Sequence, residues 1–155
     1  MPRKEPSDER DQKLLDDIAN YGWHCVHVLA ESDLPPFSYT VGLFQTLNHP
    51  ELLIYGVPSE AAHAIFCIAV SAAERGKPLN LNQPTDDLLE GYPCVFVEVP
   101  KSQFREHVGY GIWYYDGMDF PVQQIVWPSK SGQFPWHTEA SASFRETQPV
   151  LGVVQ

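Results

Sequence analysis

Fourteen prolines and ten glycines interrupt a chain of 155 residues, and this punctuation limits the fold more than any other feature. Proline removes a backbone donor and fixes φ, while glycine weakens regular structure and marks turns. The chain is therefore expected to divide into short elements joined by long, stiff connections. No apolar run approaches the ~18 residues that a membrane-spanning helix needs. The length suits one domain and is enough to bury roughly 70% of the unfolded surface, so neither metal nor disulfide is required to hold a core.

Residues 1–6 read as a frayed tail and 7–155 as a single domain. Ser7 is placed to cap a helix over about 8–20, with Asp8 and Glu9 in the first turn, where the helix dipole favours anions. Leu14, Leu15, Ile18 and Ala19 give that helix one apolar stripe, and Gly22 is placed to end it. Short strands follow at 23–29, 37–43 and 51–57, with a loop over 44–50. Pro58-Ser59-Glu60 opens the longest helix, about 59–75, with Ser59 as its cap. Ala62, Ile65, Phe66, Ala69 and Ala72 recur along it at helical spacing. Residues 77–91 are irregular, 92–99 a strand, and a short helix starts at Pro100. Two further strands are expected at 111–115 and 122–127, and the tail from Ser129 is mostly irregular. The sum is an α+β domain: a mainly antiparallel sheet of about six strands, barrel-like in one arrangement, with two to three helices.

Twenty acidic and ten basic residues give a net charge of −10. Such a surface repels phosphate backbones, so nucleic acid and anionic membranes are poor partners and a basic protein is a better one. The same acidity also serves solubility. Cys25, Cys67 and Cys94 are odd in number, lack C-x-x-C spacing and sit in apolar stretches, where free cysteine behaves as a small hydrophobe. The first residues, MPRKEPSDERDQ, hold no apolar core of a signal peptide. A reduced, cytoplasmic setting is the expectation, as a monomer or homodimer.

Two stretches stand out. Phe37-Ser-Tyr-Thr-Val-Gly-Leu43 is followed by His49-Pro-Glu-Leu52, and Gln124-Ile-Val-Trp-Pro128 by Gly132-Gln-Phe-Pro-Trp136. This ordered pair resembles the bacterial domain-of-unknown-function family 4262, over about residues 12–140. Members of that family often carry Asp after the Trp-Pro, where this chain has Ser129. The resemblance implies a kind of protein and brings no activity with it.

The first stretch supplies the strongest site candidates: Tyr39, Thr40, Gly42 and His49, beside Glu51. Glycine lets a ligand approach the backbone, a threonine hydroxyl can bind, and histidine titrates near neutrality. A bulge at Gly42 and a turn at His49-Pro50 account for the same residues structurally. Trp127 and Trp136 belong to an aromatic-rich last third that suits either a groove or a core. The two stretches are expected to meet, with Tyr39 or His49 touching Trp127 or Trp136. His24 and His27, three apart on a strand, point to opposite faces, which argues against a metal site. His63 and Cys67 lie one helical turn apart, with no cation nearby to activate the thiol. No P-loop, dinucleotide fingerprint, zinc-protease motif or nucleophile elbow is present. No catalytic residue, metal or cofactor is therefore assigned. The reading is a non-catalytic acidic binding protein, such as an immunity or antitoxin-like protein neutralising a basic partner through Asp16, Asp17, Asp86, Asp87 and Glu90. The alternative is a small-ligand or flavin-binding domain of split-barrel kind, acting as an oxidoreductase, by analogy of fold alone.

Overall fold

A computed structural model describes residues 5–154. Residues 1–4 of the expected tail lie outside the described residues, while Glu5 and Pro6 are irregular and exposed. The first helix, α1 (Glu9–Tyr21), begins one residue later than expected. Asp8, not Ser7, is its cap and accepts from the Asp11 amide. Ser7 instead donates its hydroxyl and its amide to the Asp11 carboxylate at 2.6 and 3.0 Å, so the first turn is closed from both sides. Gly22 ends the helix in the left-handed region at φ 90°.

Among the described residues five strands form one sheet: β1 (His24–Val28), β2 (Phe37–Val41), β3 (Glu51–Tyr55), β4 (Val95–Glu98) and β5 (Val122–Val126). Their order is β1-β2-β3-β5-β4. Neighbours are antiparallel except β3 and β5, which run parallel with Glu51 opposite Val122 and Ile54 opposite Ile125. Three of the four pairings are antiparallel, as expected for most of the sheet. The sheet is nevertheless mixed and open, with β1 and β4 at its edges, which corrects the expectation of about six strands in a barrel-like form. The missing strand is 111–115. Those residues lie in α5 (Gly109–Tyr115), which follows α4 (Phe104–His107) almost without a break. Alternating aromatics suggested a strand there, but Gly111 sits against the Phe120 ring and Tyr114 is buried, a contact set at helical spacing.

Two short helices also arise where loop was expected: α2 (Leu43–Leu47), and α6 (Ala142–Thr147), whose Ser141 cap accepts from the Phe144 amide. The longest helix, α3 (Ser59–Glu74), matches its expected span, though Pro58 precedes it and Ser59 lies in its first turn. Among the described residues there are six α-helices, against two or three expected.

The sheet separates two apolar cores. On one face, Phe37, Tyr39, Val41, Leu53 and Tyr55 pack with Leu14 of α1, Phe104 of α4 and Tyr114 of α5. On the other, Leu52, Ile54 and Ile125 pack with Ile65, Phe66, Ala69 and Val70 of α3. Alternation along β2 and β3 explains why both strands are buried throughout: each face has its own helical cover.

Candidate functional site

The first unusual stretch folds around a buried carboxylate. β2 ends at Gly42, whose φ of 112° only glycine adopts readily and whose missing Cβ leaves room for the Gly22 carbonyl oxygen and Trp23 Cα. The chain then turns into α2, leaving three successive amides aimed at the Glu51 side chain, which starts β3. Gly42 N and Phe44 N donate to Glu51 Oε2 at 3.0 and 3.1 Å, and Leu43 N donates to Oε1 at 3.2 Å. Thr40 Oγ1 donates to Oε1 at 2.7 Å and Tyr115 OH, from α5, donates to Oε2 at 2.5 Å. A helix N-terminus with converging amides is an anion-binding concavity, and here the anion is a side chain of the protein.

Around this carboxylate lies a second ring of bonds. Thr40 Oγ1 also accepts from Leu52 N at 2.9 Å, Tyr115 OH accepts from Gln45 N at 3.3 Å, and Tyr114 OH donates to Gln45 Oε1. Burial pushes the pKa of Glu51 up from the ordinary glutamate value, and the bonds from Tyr115, Thr40 and the amides act in the opposite direction. Burial and the neighbouring Glu51 charge push the Tyr115 hydroxyl up as well.

Of the residues singled out from sequence, Thr40 and Gly42 belong to this cluster. Tyr39 does not: it points away from Thr40 into the core that holds Tyr114, and its hydroxyl accepts from Tyr110 N at 3.1 Å. His49 is buried beside the cluster, its Nδ1 donating to the Pro50 carbonyl at 2.7 Å, with Nε2 unpartnered. Trp127 lies elsewhere. It follows the C-terminal end of β5, and its Nε1 donates to the Tyr55 carbonyl at the far end of β3. Glu51 and Tyr55 are four residues apart, roughly 13 Å along the strand, so the Glu51 cluster and Trp127 lie at opposite ends of β3. The first motif reaches the Trp127 end through Phe37, which pairs with Tyr55, and not through Tyr39 or His49 as expected. Trp136 stacks on Phe134 with centroids 5.0 Å apart, in a groove of about 630 Å³ beside β4.

The late motif is held by residues that sequence reading left in the irregular tail. Gln148 is fully buried; its Oε1 accepts from Trp127 N at 2.9 Å and its Nε2 donates to Trp127 O at 2.8 Å. Gln124 likewise donates to Pro149 O and accepts from Leu151 N, clipping residues 149–151 onto the sheet. Ser129 Oγ accepts from Gln133 N at 3.2 Å, a turn-closing bond that an aspartate in its place can also make.

A model of a domain of unknown function, DUF4262, matches residues 17–141. The chain belongs to this family. In this DUF4262 protein the matched span holds both motifs, the whole sheet and the Glu51 cluster. Neither a curated protein nor a solved structure matches it. The acidic residues of interest fall into two groups in the DUF4262 fold. Asp16 and Asp17 are on α1, next to edge strand β1; Asp17 is bound to Lys13 Nζ at 2.9 Å and His24 Nδ1 at 2.6 Å. Asp86, Asp87 and Glu90 are exposed around buried Leu88, in the connection that reaches the other edge through paired Thr85 and Cys94. All three cysteines are free thiols, and burial pushes Cys25 up to about 12 and Cys94 to about 11. His63 lies 3.7 Å from the Cys67 sulfur, whose pKa burial and Glu74 also raise. The arrangement thus favours unreactive thiols over an activated nucleophile.

Proposed function

We propose that this DUF4262 protein is a non-catalytic binding protein that takes a basic protein partner, in the manner of an immunity or antitoxin-like protein. The observation that carries the reading is the exposed trio Asp86, Asp87 and Glu90. None of the three forms an ion pair among the described residues, in a chain of net charge −10. A short connection pinned by the 2.9 Å Thr85–Cys94 backbone pair presents these carboxylates. Unneutralised charge of one sign on a fixed segment accelerates encounter with an oppositely charged surface and penalises wrong partners. In support, the distinctive polar groups Thr40 and Glu51 of the first motif are bonded to each other and Glu51 to Tyr115. The flavin alternative drew on a barrel-like sheet, and this sheet is open at both edges.

The test is calorimetric titration of the protein with the purified product of the adjacent reading frame. Converting Asp86, Asp87 and Glu90 together to lysine is expected to weaken the complex by about tenfold or more, with a smaller loss at ~0.5 M salt. Absence of a complex, or full affinity in the triple variant, overturns the reading.

A further inference from the structure

The two edges of the sheet are treated differently. The β4 edge is covered: Cys94, just before the strand, exchanges both backbone hydrogen bonds with Thr85, and Gly152 lies so close to the Glu98 carbonyl that a Cβ there would collide with it. Among the described residues, the β1 edge has no such cover. Its sequence, His-Cys-Val-His-Val, contains no proline, lysine or bulge of the kind that guards an open edge.

The direction of the free backbone groups follows from the ladder. Gly56 N donates to Pro36 O, so even-numbered residues of β2 bond toward β3 and odd-numbered ones toward β1. Phe37, Tyr39 and Val41 therefore bond to Val28, Val26 and His24. That leaves the N–H and C=O groups of Cys25 and His27 pointing away from the sheet, and neither backbone has a hydrogen bond to another described residue. This edge runs along an open groove of about 1290 Å³. Cys25 to Glu31 form one side of it, the first turns of α1 a second, and Arg105 to Trp113 a third. Its floor includes Val26, Val28 and Phe37, and Leu29 at its end is 84% exposed.

We propose that the β1 edge is a strand-addition site that accepts an extended segment of another protein, with side chains alternating between apolar and cationic. Backbone pairing with Cys25 and His27 supplies the register, and apolar side chains at alternate positions face the groove floor. Cationic positions match the chain's net charge of −10; along the groove itself the exposed charges balance, Glu9, Glu31 and Glu106 against Arg10, Lys13 and Arg105. A second copy of the chain is a worse occupant, because each copy carries −10. The proposal rests on the protein-binding reading above and adds where the partner's backbone sits.

The probes are two synthetic eight-residue peptides, one alternating lysine with valine and one alternating threonine with valine. They are titrated into the isotopically labelled full chain and followed by amide shifts and hydrogen exchange. The expected result is saturable binding of the lysine peptide, with shifts centred on 24–31 and 105–113 and at least tenfold slower exchange at the Cys25 and His27 amides. His27→Pro removes an outward donor and also the 2.7 Å bond between His27 Nδ1 and Ser38 Oγ, so it is compared with His27→Ala, which loses only that bond. Binding about tenfold weaker in His27→Pro than in His27→Ala is expected, and equal binding overturns the strand site. Shifts centred on 85–98, no saturable binding of either peptide, or equal protection of β1 in concentrated protein alone each overturn the strand site. The two readings separate cleanly. Shifts confined to Asp86–Glu90 leave the acidic reading standing and remove this one. Equal binding of both peptides at β1 keeps the strand site and removes the electrostatic reading.

Discussion

At the scale of single residues, Glu51 governs the candidate site. Five donors converge on one buried carboxylate, and each is stranded if the oxygens are removed. Glu51→Ala is expected to cost about 3–5 kcal/mol in urea unfolding, the range for breaking a buried charged network by deleting one partner. Tyr115→Phe, which deletes one charged hydrogen bond and leaves the amides satisfied, should cost about 1.5–3 kcal/mol. Equal losses for the two variants would show that the amides do not depend on the carboxylate. Thr40, Gly42 and Glu51 were legible in the sequence as a group because a Thr-x-Gly strand end next to a His-Pro-Glu turn is chemically unusual. What the group does was not legible. The fifth donor, Tyr115, is 64 positions away in sequence, and nothing local marks it as the partner of Glu51.

At the scale of elements, α3 was predictable because its apolar spacing, opening proline and terminal glycine agree with one another. Phe66 is fully buried under the sheet and meets Trp23 edge-on at 6.4 Å. Phe66→Ala is expected to destabilise the fold by about 3–5 kcal/mol by thermal or denaturant unfolding; a loss below about 1 kcal/mol would mean that the site collapses around the cavity. The elements misread from sequence share one cause. Trp113, Tyr114 and Tyr115 favour strands intrinsically and so predict one at 111–115, whereas the helical form of α5 places Gly111 against Phe120 and lets Tyr115 bond Glu51. α2 exists because Glu51 caps its amides from outside the segment, and Gln148 anchors the tail by reaching back to Trp127. In each case the deciding contact comes from outside the element itself, where its own propensity and periodicity carry no information.

At the scale of the whole molecule, acidity shapes stability as well as recognition. Burial works to raise the Asp17 pKa, but hydrogen bonds from Lys13 and His24 more than reverse this and leave it below the ordinary aspartate value. A carboxyl depressed on folding contributes stability above its unfolded pKa of about 3.9, and that contribution is lost as pH falls through the folded value. Melting temperatures measured from about pH 6 down to about pH 2.5 should therefore fall less steeply for Asp17→Asn than for the natural protein at the acid end. Parallel acid limbs would show that the Asp17 bonds do not survive in solution. The same pair joins α1 to β1, so strong acid also weakens the hold on the element beside the open edge. The insertion of β5 between β3 and β4 bears on the order of synthesis. When a ribosome has released residues 24–55, β1, β2 and β3 are complete, yet β3 has a bare flank whose neighbour lies 67 positions further on, counted from Tyr55 to Val122. Until that stretch emerges, the growing polypeptide has two unsatisfied flanks instead of one, and any chaperone that shields it has to act during translation.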